Sequence, residues 1–384
     1  MWRHLASNFF TFLVVAIFLL AGVLLWGQST YSAAGPLDDA ICLQVPRGSS
    51  MRAISQDLED RGAISNGSIF RLGADYTDKT RFLKAGSWLI PEAASMSEIA
   101  DIITRGGASS CGTEVVFRIG VNSATTQIRE LDPATNTFVE RVQFATGDTG
   151  PQLYAEVREN SDTRYRVALA EGVTTWQVVE VLKSVDALTG EVVELPPEGS
   201  LAPDSYEFSS GDNRADVLAR MREAQEVILA AAWAARDPET PLSEPYEALI
   251  LASIIEKETG IASERPQVAS VFTNRLRRGM KLQTDPTVVY GVTEGKGVLG
   301  RGLRQSELRR PTPYNTYVID GLTPTPIANP GKASIEAALN PLDTKFIFFV
   351  AKSLNPSDGH LFAETLEEHN RNVAAYRALE RAAQ

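Results

Sequence analysis

The stretch Glu247–Tyr290, EALILASIIEKETGIASERPQVASVFTNRLRRGMKLQTDPTVVY, decides how the rest of the chain is read. From Ala248 to Ile255 it is almost unbroken apolar sequence, bounded by Pro245 before and Gly260 after, which predicts a buried helix. At helical spacing Leu251, Ile254, Ile255 and Glu258 share one face, whereas Glu256 lies about 200° from Glu258 around the axis. The two carboxylates therefore look in different directions. Glu258, at the end of the apolar stripe and in the last turn, is disfavoured as an anion both by desolvation and by the partial negative charge of the terminal carbonyls. A carboxyl held protonated in this way suits a general acid that protonates a leaving oxygen.

An EKE triplet at a helix end is also what two solvated glutamates look like, with Glu256 paired to a lysine or arginine. The continuation separates the two readings. Ser263 or Glu264 is placed to cap a second helix carrying Val268, Phe272 and Leu276 at i, i+4 and i+8, and Gly279 ends it. A polar loop, Gln283-Thr284-Asp285-Pro286-Thr287, follows.

ASIIEKETG (Ala252–Gly260), ASERPQVASVFTNRLRRGMKLQTDPTVVYG (Ala262–Gly291), PYNTY (Pro313–Tyr317), ANPG (Ala328–Gly331), Gly359-His360 and Glu368-His369-Asn370 recur in this order along the chain. In these segments the sequence resembles the membrane-anchored endolytic murein transglycosylases, also called YceG-like proteins. The resemblance is dense over Tyr246–Tyr376, thinner over Met51–Gly106 and Tyr165–Phe208, and absent from Thr113 to Asp162. The Glu258-Thr259 pair looks like the acid pair of soluble lytic transglycosylases, so the family's catalytic glutamate carries over to Glu258 and not Glu256. The substrate contacts expected around it are Thr259, Gln283, Thr284, Asp285, Tyr290, Tyr314, Asn315, Tyr317 and His360.

A net charge of −11 and the lack of a basic patch with interleaved aromatics argue against a nucleic-acid partner. Three histidines, His4, His360 and His369, and two cysteines outside metal-ligand spacing give a zinc site or a nucleophile triad little material, and no P-loop pattern occurs. No cofactor and no metal are expected.

Taken in order, Phe9–Trp26 is a continuous apolar stretch flanked by Arg3 and His4, long enough to span a bilayer. A cleaved secretory signal is the competing reading, but the apolar core exceeds a usual h-region and Ser32-Ala33-Ala34 is a poor cleavage site. The positive-inside rule then puts the N-terminus in the cytoplasm and everything after Gln28 outside it. Residues 28–40 read as a tether. From Ile41 to Gly107 the pattern is strand, helix (Met51, Ile54, Leu58), helix (Ile69–Ala74), strand (Gly86–Ile90) and helix (Met96, Ile99, Ile102, Ile103), a LysM-like module that binds glycan or serves as a spacer. Cys42 and Cys111 bracket it, either as a disulfide or as two small core residues.

EVVFRI, TFVERVQF and QLYAEV in Thr113–Asp162 alternate apolar and polar residues between turn-rich segments and predict antiparallel strands. Arg166–Leu169 is a further strand, Thr174–Val185 a helix with Trp176, Val179 and Leu182 on one side, and Ala215–Ala235 a long Ala-rich helix expected beside the catalytic one. Lys345–Val350 and His360–Ala363 form a hairpin, and Thr365 with Glu368 a capping box for the last helix. The expected architecture is α+β: a transmembrane helix (1–27), tether (28–40), LysM-like module (41–112), β-rich elaboration (113–210) and catalytic domain (211–384).

The resemblance implies an inner-membrane, single-pass lyase with a periplasmic catalytic domain, acting on nascent peptidoglycan and beside its synthases. It would cleave the MurNAc–GlcNAc β-1,4 bond to leave 1,6-anhydro ends and so end strand elongation. A muramidase-type hydrolase would need a second carboxylate, for which Asp285, Glu264 and Glu256 are candidates. A non-catalytic anchored glycan-binding or division scaffold is the reading from another class.

Overall fold

An apolar helix with no core of its own opens the chain. The computed structural model describes residues 2–107, 110–160 and 163–383, and of residues 2–8 the backbone alone, so the side chains of Arg3 and His4, and Asp162, lie outside the described residues. Helix α1 (Trp2–Ser32) carries a segment, Phe9–Ser32, long and apolar enough to cross a membrane, with a mean hydropathy of 2.7 and an apolar window that is 0% buried. Phe10, Phe12, Phe18, Leu24 and Trp26 all face outward. The helix runs past Trp26 into the stretch expected to be tether. Packing explains the difference: the Tyr31 ring is buried against Gly73, where a Cβ would overlap it, so tertiary contact holds turns that composition alone would leave loose. The residues after it are also tied down, through Gly35 N–H to Ala93 O at 3.0 Å and Ala93 N–H to Leu37 O at 3.0 Å.

The chain forms two compact units. In the first, comprising 1–115, 128–142 and 150–164, β1 (Ile41–Val45) leads to α2 (Met51–Asp60) and α3 (Gly67–Tyr76). There β2 (Gly86–Ile90) pairs antiparallel with β1, Leu43 opposite Trp88, and α4 (Met96–Arg105) follows. Each helix starts where the sequence supplies a cap: Ser50 accepts from Ala53 N–H, Asn66 from Ser68 and Ile69 N–H, and Ser95 with Glu98 makes a full capping box. Their apolar faces meet in a core of Leu43, Leu58, Phe70, Ile90, Ile99 and Ile103, all 0% exposed. Cys42 and Cys111 are joined in a disulfide with Cα atoms 5.7 Å apart, so of the two readings the bridged one holds.

Strands β3 (Thr113–Ile119), β4 (Ala124–Asp132) and β5 (Thr137–Ala145) follow as alternation predicts, but QLYAEV does not. It lies in α5 (Gln152–Glu159), behind Pro151 at the cap position and with Tyr154 and Val157 as its buried pair. Six residues of alternation fit either period, and i, i+3 burial decided.

The second unit, 116–127, 143–149 and 165–384, holds most of the remaining elements. Strand β6 (Arg164–Leu169), helix α6 (Thr175–Ser184, boxed by Thr174 and Gln177) and β7 (Ser205–Phe208) come first. Tyr165 pairs with Phe208 and Ala168 with Ser205, within a sheet of order β5-β4-β3-β6-β7. On α6 it is Val178, Val179 and Leu182 that are buried, with Trp176 only half-buried. Helix α7 (Arg214–Ala234), capped by Asn213, packs against α8 (Pro245–Glu258) as expected.

Then come α9 (Arg265–Arg277), α10 (Asp285–Thr293), α11 (Gln305–Arg309), α12 (Lys332–Leu339), the hairpin β8 (Phe348–Ala351) with β9 (His360–Ala363), and α13 (Leu366–Ala382). The predicted loop at Asp285–Thr287 is thus the first turn of α10, where Pro286 suits the opening position. Thr365 caps α13 through Glu368 N–H at 3.2 Å, but Glu368 accepts from Glu364 N–H and not from the cap residue, so the box is half formed.

α8 is the axis of this unit. Every residue from Ala248 to Ile255 is buried, and α7, α9 and α12 pack around it. A helix buried on all sides cannot be amphipathic, which is why its sequence is a plain apolar run. Truncating Leu251 or Ile254, each 0% exposed, would cost about 2–5 kcal/mol.

The disulfide yields the first prediction. The unreduced protein should resist thiol alkylation until it is unfolded and reduced, and Cys42→Ser should lower stability by about 2–4 kcal/mol in denaturant titration. Two thiols that alkylate in the folded, unreduced protein would contradict it.

Candidate active site

The apolar core of α8 carries Glu258 to the helix end and stops there. Thr259 is extended (φ −141°), its N–H reaching Ile255 O at 3.3 Å, and its hydroxyl then accepts from Ile261 N–H at 3.0 Å, so the chain turns away just after the carboxylate. Glu258 lies on the stripe of Leu251, Ile254 and Ile255, all 0% exposed, as helical spacing predicts.

The Thr284 hydroxyl donates to Glu258 Oε1. It is set there by backbone geometry. Gln283, exposed, takes a left-handed φ of 49°, rare for a residue with a Cβ, and its N–H bonds Thr316 O at 3.1 Å. Thr284 N–H bonds Thr316 Oγ1 at 3.0 Å, and Thr287 Oγ1 meets the same hydroxyl at 2.9 Å. Thr316 and Thr287 are 0% exposed and Thr284 2%. Two threonines, Thr287 and Thr316, thus lock the residue that touches the acid.

Burial raises the pKa of Glu258 first and foremost, and the nearby charge of Asp285 adds to this. The Thr284 hydrogen bond and the electrostatic influence of His360 and Arg275 act the other way, more weakly than burial. Arg275 is 7% exposed, its guanidinium spent on Ile347 O at 2.7 Å and Leu282 O at 2.5 Å. Asp285, exposed at the start of α10, accepts from the Tyr317 hydroxyl at 2.7 Å. The Tyr317 phenol is pushed up by burial and then by that bond.

His360 opens β9 beside Glu264, whose carboxylate takes the His360 N–H at 2.8 Å and meets Nδ1 at 2.9 Å. Glu264 does occupy the position before α9, but its side chain makes no capping bond. The imidazole competes for the carboxylate and wins. The Thr259 hydroxyl reaches the same carboxylate at 3.5 Å.

Glu256 looks elsewhere, as predicted, but it is not solvated. Its side chain is 5% exposed, lies 3.5 Å from the Arg265 guanidinium, and accepts from Gly331 N–H at 3.0 Å. Arg265 also holds Glu171 at 2.9 Å. Neighbouring Lys257 donates to Gly172 O at 3.2 Å, and burial pulls its pKa down.

Among the residues expected at the site, the structure gathers Thr259, Thr284, Asp285, Tyr317 and His360 around Glu258. Gln283 shapes the loop with its side chain exposed. Tyr290 forms a separate pair with Tyr314, ring centroids 5.0 Å apart, and its hydroxyl donates to half-buried Glu198 at 3.2 Å while that of Tyr314 meets Thr325 at 2.9 Å. Asn315 is 0% exposed and has nothing left for a ligand: its amide donates to the carbonyls of Glu307, Leu308 and Arg310 at 2.8–3.2 Å, and its oxygen accepts from Tyr317 N–H at 3.0 Å. It organises the loop that carries Thr316 and Tyr317. Sequence reading missed Thr316, Arg275 and Glu198. The first two lie inside quoted segments, where nothing in the residue type marks a threonine or arginine as buried.

A family model described as the YceG-like family matches residues 43–375. A protein named endolytic murein transglycosylase from Bacillus subtilis is 28% identical over 367 residues, covering 93% of this chain and 91% of that protein. One of the same name from Streptococcus pneumoniae is 27% identical over 384 residues, covering 97% of this chain and 66% of its own longer length. A crystal structure of a YceG-like protein from Listeria monocytogenes, 26% identical, aligns with a TM-score of 0.46 over 87% of this chain and 98% of its own.

Proposed function

The chain belongs to the YceG-like family, and on that premise we propose that it is a peptidoglycan lytic transglycosylase with Glu258 as its acid. Two relatives that carry the name endolytic murein transglycosylase support the reaction class. The observation that carries the residue assignment is the raised pKa of Glu258, a carboxyl desolvated at the end of α8 and touched by the Thr284 hydroxyl.

The protonated Glu258 donates to the oxygen linking MurNAc to GlcNAc, and the bond from that oxygen to the muramyl anomeric carbon breaks. Now a carboxylate, Glu258 takes the proton from the muramyl 6-hydroxyl as that oxygen bonds the anomeric carbon. The product is a 1,6-anhydro end, no water is consumed, and Glu258 is again protonated. Thr284 steadies the anionic form between the two transfers, while Asp285, held by Tyr317, adds negative charge near the cationic sugar. A hydrolase would need a second free carboxylate. Glu256 is tied to Arg265 and Gly331, Glu264 to His360 and Asp285 to the Tyr317 hydroxyl, which favours the one-carboxyl route.

In this reading the apolar helix is a single-pass inner-membrane anchor with its N-terminus in the cytoplasm. Residues 41–112 are a LysM-like glycan-binding module, 113–210 the β-rich elaboration, and 211–384 the periplasmic catalytic domain, working on nascent strands beside a synthase and ending their elongation. The Cys42–Cys111 disulfide supports an oxidising compartment.

Incubating the purified chain with glycan strands and weighing the products tests the assignment. Glu258→Gln should retain glycan binding and lose turnover by about 100-fold or more. Glu256→Gln should instead lower stability, by about 1–3 kcal/mol, while keeping the pH profile. Near-normal anhydro products from Glu258→Gln would overturn the reading.

The pH profile tests the environment of the acid. Turnover needs the protonated form, so activity should fall on the alkaline side of the Glu258 pKa. The Thr284 hydrogen bond favours the anion, so Thr284→Val should raise that pKa and move the alkaline limb to higher pH. A limb that stays in place or moves to lower pH would contradict it.

A further inference from the structure

α3 is apolar on two sides. Its inner face buries Phe70 and Ala74, both 0% exposed, in the core of the first unit. On another side Leu72 and Tyr76, one turn apart at i and i+4, stand 69% and 91% exposed, and Phe82 is 47% exposed just after the helix. A leucine and two aromatics left outside a small folded module are not covered by anything in that unit, and such a patch marks an interaction surface. The Arg81 guanidinium lies 4.9 Å over the Phe82 ring and also pairs with Asp78, and Lys84 is exposed two residues on.

The place of this stripe says what covers it. Gly73, between Leu72 and Tyr76, is the contact point for the Tyr31 ring of α1, and α3 and α4 both pack on α1. Trp26 closes the apolar run of α1, and Tyr31 is five residues further, about 7.5 Å along the axis. The headgroup layer of one leaflet is about 5–7 Å deep. The Tyr31–Gly73 contact therefore lies at the rim of that layer, and Leu72 and Tyr76 lie within about 5 Å of Gly73 along α3. Aromatic and aliphatic side chains at this height, with arginine and lysine beside them, are what a membrane–water interface selects.

We propose that the Leu72–Tyr76 stripe, with Phe82, rests in the lipid headgroup layer of the membrane that α1 crosses, so that the module of β1 to α4 is seated on the bilayer surface. The proposal rests on the reading of α1 as a membrane span. Seating follows from two contacts, the Tyr31–Gly73 joint and the lipid-facing stripe, and it fixes the height at which this unit meets glycan. The residues expected to be a loose tether instead hold the module close.

The test uses the full chain in phosphatidylcholine vesicles. Leu72→Cys, Tyr76→Cys and Phe18→Cys are each labelled with an environment-sensitive fluorophore; Cys42 and Cys111 are bonded to each other and do not react. All three positions are exposed, so the labels displace no core. Vesicles carry nitroxide quenchers either at the headgroup or deep in the acyl chains. Labels at Leu72 and Tyr76 should lose most of their fluorescence to headgroup quencher and little to the deep one, and the label at Phe18 the reverse. Quenching at Phe18 with none at Leu72 and Tyr76 would overturn the seating while leaving the anchor intact. No quenching at Phe18 would overturn the anchor and the seating together.

Discussion

Desolvating a carboxyl is the constraint around which the second unit is arranged. Glu258 sits where an entirely buried helix runs out, and the cost of holding it there is offset by the apolar packing of α8 against α7, α9 and α12. The same packing makes the site rigid. Because Leu251, Ile254 and Ile255 are fully buried, the helix cannot rotate to release the carboxyl to water without opening the core. The raised pKa of Glu258 comes chiefly from burial by the fold and not from a single neighbour.

Buried polar side chains complete the arrangement by fixing loops and not by contacting a ligand. Thr316 sets Thr284, Asn315 gathers three carbonyls beneath the same loop, and Asn329 does the equivalent for the ANPG segment. Asn329, 0% exposed, donates to Val173 O at 2.9 Å and accepts from Leu201 N–H at 2.9 Å, which joins the α6 start and the segment before β7 to the ANPG loop. Each is satisfied in a dry interior, where an unpaired amide or hydroxyl would be expensive. Much of the polar sequence in these segments therefore serves to fix the loops around Glu258.

What could be read from sequence follows the same physics. Apolar residues at helical spacing made α2 and α4 legible, and its run of strong helix formers made α7 legible. Glu258 was legible because one helical stripe ends on it. QLYAEV was not, since six residues satisfy two periods. Nor was the full length of α1, which depends on Tyr31 finding Gly73 some forty residues later in the chain, roughly a contact no local rule contains. Asn315 and Glu264 show the other limit: a polar residue beside a candidate site has several partners within reach, and only the folded geometry chooses between a substrate, a backbone carbonyl and an imidazole.

The account stands on Glu258 keeping its proton when ordinary glutamates have lost theirs. Infrared difference spectra of the full chain, wild type against Glu258→Gln, measure this directly through the carbonyl stretch of a protonated carboxyl. The account predicts a protonated-carboxyl band that persists at a pH where exposed glutamates are already ionised and that is missing from the variant. A Glu258 that ionises together with the exposed glutamates would contradict it.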